Sequence, residues 1–231
     1  MNKLLCDRNK MILQRNDIVE TIKIFTEKHD PFDRYASYDY CFNYFHPANK
    51  NCITDDMEKS CLSLGFYLAS WGMYRGSSFL LNKSALVFVP LIEYISELDD
   101  NVWEIDANNL NDNCEQAIEI YRNLKSLLIP KETSHLTLIT KIMLGVFGSV
   151  PAYDRFFINS FKEIFKGKCG FSSFNKNSLL CIADFYSENE AVIELQANSL
   201  KTMGFNNSVV SRAYTRSKVI DMYGFTKGLN A

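Results

Sequence analysis

The sequence predicts an all-α fold, a compact multi-helix domain, and three observations carry that expectation. Apolar residues recur at the i, i+3, i+4 and i+7 spacing of one helical face through most of the chain. Few segments show the period of two that a half-buried strand needs. Short polar breaks rich in Gly, Pro, Asn, Asp and Ser separate the periodic stretches. At 231 residues the chain has the length of one large domain or two small ones. Its 47% hydrophobic and 23% charged residues match a soluble globular domain and exclude a disordered one.

The elements follow in order. Ile18, Ile22 and Phe25 share one face of a first helix capped by Asn16 and stopped before Pro31. Tyr35, Tyr38, Tyr40, Phe42, Tyr44 and Phe45 then crowd together ahead of His46 and Pro47. Such density does not fit one face of one element, so some rings are expected in the core and others at a groove. A second helix starts near Thr54 or Asp55, where Asp55 and Glu58 have capping-box spacing. Met57, Cys61, Leu64 and Leu68 form its stripe, and it ends between Gly72 and Gly76. A third helix spans the mid-eighties to Leu98, and Pro90 leaves two alternatives: the helix starts near Val89 or Pro90, or it is kinked there.

Residues 97–113 are polar, with six Asp or Asn between Asp106 and Asn113, and read as a loop. We treat residues 1–231 as a single helical domain, with 99–112 as the candidate boundary if there are two lobes. A helix from Asp112 to Leu128 ends at Pro130, and Thr133 or Ser134 caps the next, with Leu136, Ile139, Met143 and Phe147 inward. Gly148-Ser-Val-Pro151 breaks it before a helix over about 152–165. Two more are expected, over about 178–197 and 208–223, although β-branched Val209 and Val210 fit the last one poorly.

Composition bounds function. A net charge of −2 argues against a protein that coats nucleic acid through bulk charge, while leaving room for a local basic patch. Seven scattered cysteines without a Cys-x-x-Cys read as reduced thiols of a cytoplasmic protein. No apolar run approaches about 18 residues, so no membrane span is expected. His29, His46 and His135 stand apart from other ligand-type residues, so neither a metal site nor a cofactor is expected.

Three segments could carry chemistry. In Trp71-Gly-Met-Tyr-Arg-Gly-Ser-Ser78, the fork of Arg75, the hydroxyls of Ser77 and Ser78 and the ring of Trp71 suit an anionic ligand. A helix terminus with a surface arginine is the simpler reading. In Val150-Pro-Ala-Tyr-Asp-Arg155, Asp154 opens a helix where an acid is stabilised by the dipole, and it is also a candidate catalytic carboxylate beside Tyr153. Near the C-terminus, Arg212, Arg216 and Lys218 would place two arginines at i, i+4 on one helical face, a candidate phosphate strip or a solvated face.

The Val150–Arg155 segment, set after an apolar helix bearing Lys141, resembles helix-hairpin-helix DNA glycosylases and their relatives. The resemblance implies that Asp154 stabilises a cationic sugar or orients a nucleophile. Lys141 is the loose counterpart of the lysine that forms a Schiff base in some members. The family's Leu-Pro-Gly-x-Gly hairpin is replaced here by Leu144-Gly-Val-Phe-Gly148. Over its whole length the chain also resembles a group of bacterial helical proteins, through Tyr38–Phe45, Leu68–Ser78 and Phe147–Asp154, which implies no activity. Three functional expectations follow: a glycosylase-like protein binding DNA or RNA, a non-enzymatic helical interaction or regulatory protein that could form a homo-oligomer, and an enzyme for a small anionic substrate.

Overall fold

A computed structural model describes residues 15–230 except 28, 131–134 and 206–208. Helix α1 (residues 15–26) buries Ile18, Ile22 and Phe25. The aromatic run folds as α2 (Ala36–Tyr44) and its C-cap, with Tyr38, Phe42 and Phe45 inward while Tyr40 and Tyr44 stay half-exposed. After α3 (Lys50–Asp55) comes α4 (Met57–Ser70). Its cap is Asp56, one residue later than expected, whose side chain accepts from Lys59 N at 3.1 Å.

Pro90 sits in the first turn of α5 (Val89–Glu97), where its missing N–H costs nothing. Two 3-10 turns, Asp100–Glu104 and Ala107–Asn109, lead to the long amphipathic α6 (Leu110–Leu128). The polar 99–112 stretch is thus partly ordered, and its Val102, Ile105 and Ala107 join the same core as the other elements. Thr133 and Ser134 lie outside the described residues; α7 (Leu136–Phe147) follows His135 without a side-chain cap. Then come α8 (Arg155–Ile164) and α9 (Lys176–Ser199), the latter kinked at Asn189.

The C-terminal region departs from expectation. Val209 and Val210 lie in strand β2 (Val209–Ala213), which pairs antiparallel with β1 (Lys201–Met203). The last helix, α10 (Arg216–Leu229), starts eight residues later than the sequence suggested, capped by Thr215. Two crowded, stiff β-branched residues suit a strand better than a first helical turn. The fold remains all-α around this one hairpin, and no helix among the described residues is long and apolar enough to cross a membrane.

Helix α10 lies at the centre and is buried continuously from Ser217 to Thr226. Glycines let it approach α8. A Cβ at Gly228 would lie 2.0 Å from the Phe156 carbonyl oxygen, and one at Gly224 would lie 2.5 Å from the Phe157 ring. Gly228→Ala should therefore cost roughly 1–3 kcal/mol as overpacking, despite a helix-propensity gain of about 1 kcal/mol. Gly170→Ala, where a Cβ meets nothing within 4 Å, is the control. Equal melting temperatures for the two variants would refute the close approach.

Candidate functional site

The site is built where α1, α2, α4, α7 and α10 converge on the C-terminal end of α4. Helix α7 is buried from Leu138 to Phe147, Lys141 included. It ends at Gly148 in the left-handed conformation, φ +70°, where a side chain would meet Phe42 and Thr215 at 2.7 Å. The chain then turns through Pro151 and returns along α7, so that Asp154 caps α8 opposite Lys141.

The two oxygens of Asp154 are divided between two tasks. Oδ1 accepts from Phe156 N and Phe157 N, each at 3.0 Å, which is ordinary N-capping. Oδ2 accepts from Lys141 Nζ at 3.1 Å, with the two side chains 4% and 14% exposed. The dipole explanation of Asp154 therefore holds, and it leaves one oxygen for a cation that the capping role does not require.

A second pair lies next to it. Lys218 Nζ donates to Asp221 Oδ2 at 2.9 Å, with the side chains 1% and 6% exposed. Asp221 Oδ1 accepts from Ala152 N, in the turn that carries Asp154. Both lysines face the indole of Trp71, each Nζ 5.0 Å from the ring centre. Lys218 also lies over Tyr38 at 4.3 Å and Phe25 at 5.2 Å. Burial holds the Tyr38 phenol well above the usual range, so it stays protonated. Taking two ion pairs out of water is costly, and apolar residues would fill the same volume at less cost, so stability alone is a weak reason for them.

Trp71 opens toward the surface. Its half-buried ring meets Tyr35 at 5.2 Å and Phe225 at 5.7 Å, and Phe225 meets Phe156 at 5.2 Å. Two exposed arginines sit on the half-buried rings of this rim: Arg34 over Tyr35 at 5.0 Å and Arg155 over Phe156 at 4.5 Å. The arrangement is a partly exposed aromatic cluster with cations at its edge and two buried lysine–aspartate pairs beside it.

The expected site residues divide. Trp71 and Asp154 come together through Lys141. Arg75 is exposed, makes no ion pair among the described residues, and folds back on Gly72, where a Cβ would meet its guanidinium at 2.1 Å. Ser77 is exposed, and Ser78 is occupied: it donates to Met73 O at 2.6 Å and caps a 3-10 turn. Tyr153 does not join this cluster. It is fully buried, stacked on Phe157, with its hydroxyl on Ser178 at 3.0 Å.

The basic strip is not a helical face, because Arg212 lies on β2 and Arg216 begins α10. Arg212 lies over the Phe42 ring and donates to the Phe42 carbonyl, and burial lowers its pKa to about 10. Arg216 makes a bidentate pair with Glu194 at 2.6 and 2.9 Å, which holds the Glu194 carboxyl below its usual range. Lys218 is buried in the site already described. The sequence reading missed Lys218 as an inward group and missed Asp221. Their i, i+3 spacing inside an apolar run was the available signal.

Two further clusters lie outside the site. Asp39 is fully buried and accepts from Met203 N at 2.8 Å, from Tyr214 OH at 2.7 and 2.9 Å, and pairs with His29 at 3.2 Å. Tyr40, Tyr44, Leu62, Phe66 and Phe205 line an apolar groove of about 870 Å³ between α2, α4 and the hairpin. No group of three His, Cys, Asp or Glu among the described residues is placed to hold a metal ion. No family model, curated protein or solved structure matches this chain.

Proposed function

We propose that the chain acts on nucleic acid in the manner of a DNA glycosylase-like protein, with Lys141 as nucleophile and Asp154 as its partner. The observation that carries this reading is the Lys141–Asp154 contact of 3.1 Å beside the indole of Trp71. An amine next to a carboxylate, below an aromatic platform, has the groups needed to attack a sugar carbon and to steady the positive charge that develops there. Trp71 and Tyr35 offer stacking surfaces for an extruded base. Arg34 and Arg155 stand where flanking phosphates would pass, which supplies a local basic rim despite the net charge of −2.

The test is covalent trapping. At an abasic site, the Lys141 amine condenses with the sugar aldehyde to give an imine and water, and borohydride reduces the imine to a stable secondary amine. We expect a borohydride-dependent adduct with abasic DNA that maps to Lys141 and is lost in Lys141→Gln, whose fold is verified by circular dichroism. Absence of an adduct in the native chain, or its persistence in the variant, would sink the reading.

One observation favours a second reading, a helical interaction protein. Phe205, Phe66 and Leu62 are 81%, 62% and 53% exposed along the apolar groove. This reading expects no trapped adduct.

A further inference from the structure

We infer that Cys169 and Cys181 form a peroxide-reactive dithiol that closes reversibly to a disulfide between the α8–α9 connection and α9. The inference goes beyond the glycosylase-like reading and does not depend on it. Cys181 lies in the second turn of α9 and has the Cys169 side chain as a hydrogen-bonding neighbour. The local backbone explains that proximity. Cys169 N donates to Phe165 O at 3.0 Å, which closes the end of α8. Asn177 Nδ2 then donates to Lys168 O at 3.0 Å. Asn177 and Cys181 are four residues apart on one face of α9, so the bond that fixes Lys168 draws Cys169 toward the face that carries Cys181. Phe171 N donates to Cys169 Sγ at 3.4 Å, which orients the thiol. Among the described residues, Phe171 is the one non-glycine with a positive φ, +52°, and the rings of Tyr153, Phe157, Phe161 and Phe165 hold it there.

Access divides the chemistry between the two sulfurs. Cys169 is half-buried, whereas Cys181 is 4% exposed and burial pushes its thiol up to about 11. Cys169 therefore meets an oxidant first. As thiolate it attacks one oxygen of hydrogen peroxide; the O–O bond breaks, hydroxide leaves and takes up the thiol proton, and Cys169 becomes a sulfenic acid. The Cys181 sulfur then attacks the sulfenic sulfur. The S–S bond forms, the S–O bond breaks, and the Cys181 proton leaves with the hydroxyl as water. Both thiols are oxidised, and one peroxide is reduced to water. A third thiol near Tyr153, that of Cys114, is engaged elsewhere, since its Sγ donates to Leu110 O at 2.7 Å.

The test is peptide mapping of the full chain after mild treatment with hydrogen peroxide, with remaining thiols blocked by N-ethylmaleimide before unfolding. We expect a linked peptide that joins Cys169 to Cys181, is lighter than the separate peptides by two hydrogens, and returns to free thiols with dithiothreitol. Dimedone, which captures sulfenic acids, gives the order of events. It should label Cys169 strongly in Cys181→Ala, where nothing resolves the sulfenic acid, and weakly in the native chain; exposed Cys52 is the labelling control. No linked peptide in the native chain, or a link from Cys169 to Cys114 instead, overturns the inference, and the native chain alone decides this if the variant does not fold. A folded Cys181→Ala chain in which Cys169 takes up no dimedone overturns it as well, because the sulfenic step would then not occur there.

Discussion

Lys218→Met should lower the free energy of unfolding by roughly 3–5 kcal/mol, the range for breaking a buried ion pair by removing one partner. Methionine reproduces most of the lysine stem, so the contacts with Phe25, Tyr38 and Trp71 largely persist and little of the loss is cavity. What changes is Asp221, 6% exposed, which keeps its hydrogen bond from Ala152 N and loses its counter-charge. Adding Asp221→Asn should therefore recover more than half of the loss, since the amide oxygen still accepts from Ala152 N and no charge is left stranded. Urea unfolding of these two variants and of Asp221→Asn alone gives the coupling between the two positions. Equal destabilisation by the single and double variants would show that Lys218 acts through packing and that its charge is immaterial.

Asp106→Ala has the second large effect, about 3 kcal/mol or more. Asp106 Oδ1 accepts from Ala107 N and Ser217 N, each at 2.7 Å, and Oδ2 from Arg216 N at 2.8 Å. Two of these amides open α10, so a residue from the polar 99–112 stretch neutralises the positive end of the central helix. Alanine leaves three backbone donors short of a partner, each costing about 1–3 kcal/mol where water cannot reach. Part of that is offset. Burial raises the Asp106 pKa despite these hydrogen bonds, so removing the carboxylate also relieves a desolvation cost. Asp106→Asn keeps one oxygen and should lose about half as much. A loss under about 1 kcal/mol in the alanine variant would show that Thr215 alone caps the helix.

The contrast between these residues shows what the sequence could and could not reveal. Helices α1, α4, α6 and α7 were legible because their buried positions repeat at helical spacing, although Asn16, expected to cap α1, lies inside it. The α10 boundary was not, because Ser208 and Thr215 are both acceptable caps and the sequence does not say which follows a turn of strand. A three-residue strand such as Lys201–Met203 has too little alternation to register against a helical background. Within the site, Trp71 and Asp154 stood out through local composition. Lys141 and Lys218 did not acquire their meaning locally: a lysine in an apolar run becomes informative only when the carboxylate and ring that surround it are known. Arg75, Ser77 and Tyr153 illustrate the converse, since a suggestive local string places them on the surface or in the core.

The central position of α10 has a bearing on how the molecule is made. Its Lys227 pairs with Asp17 across 210 positions of sequence, and the adjoining hairpin reaches Asp39 across 164 and 175. Contacts of that span form slowly, because a long loop must close before they can reward it. During synthesis, α8 and α9, the helices that pack most extensively on α10, and the rings of α1 and α2 that meet Lys218 leave the ribosome with those faces still uncovered. Until residues 216–229 emerge, Trp71 and Lys141 border an unfilled slot and no Lys218 is there to meet Tyr38. The site should accordingly assemble only once residues 216–229 have emerged, and the apolar faces they cover are open to chaperones until then.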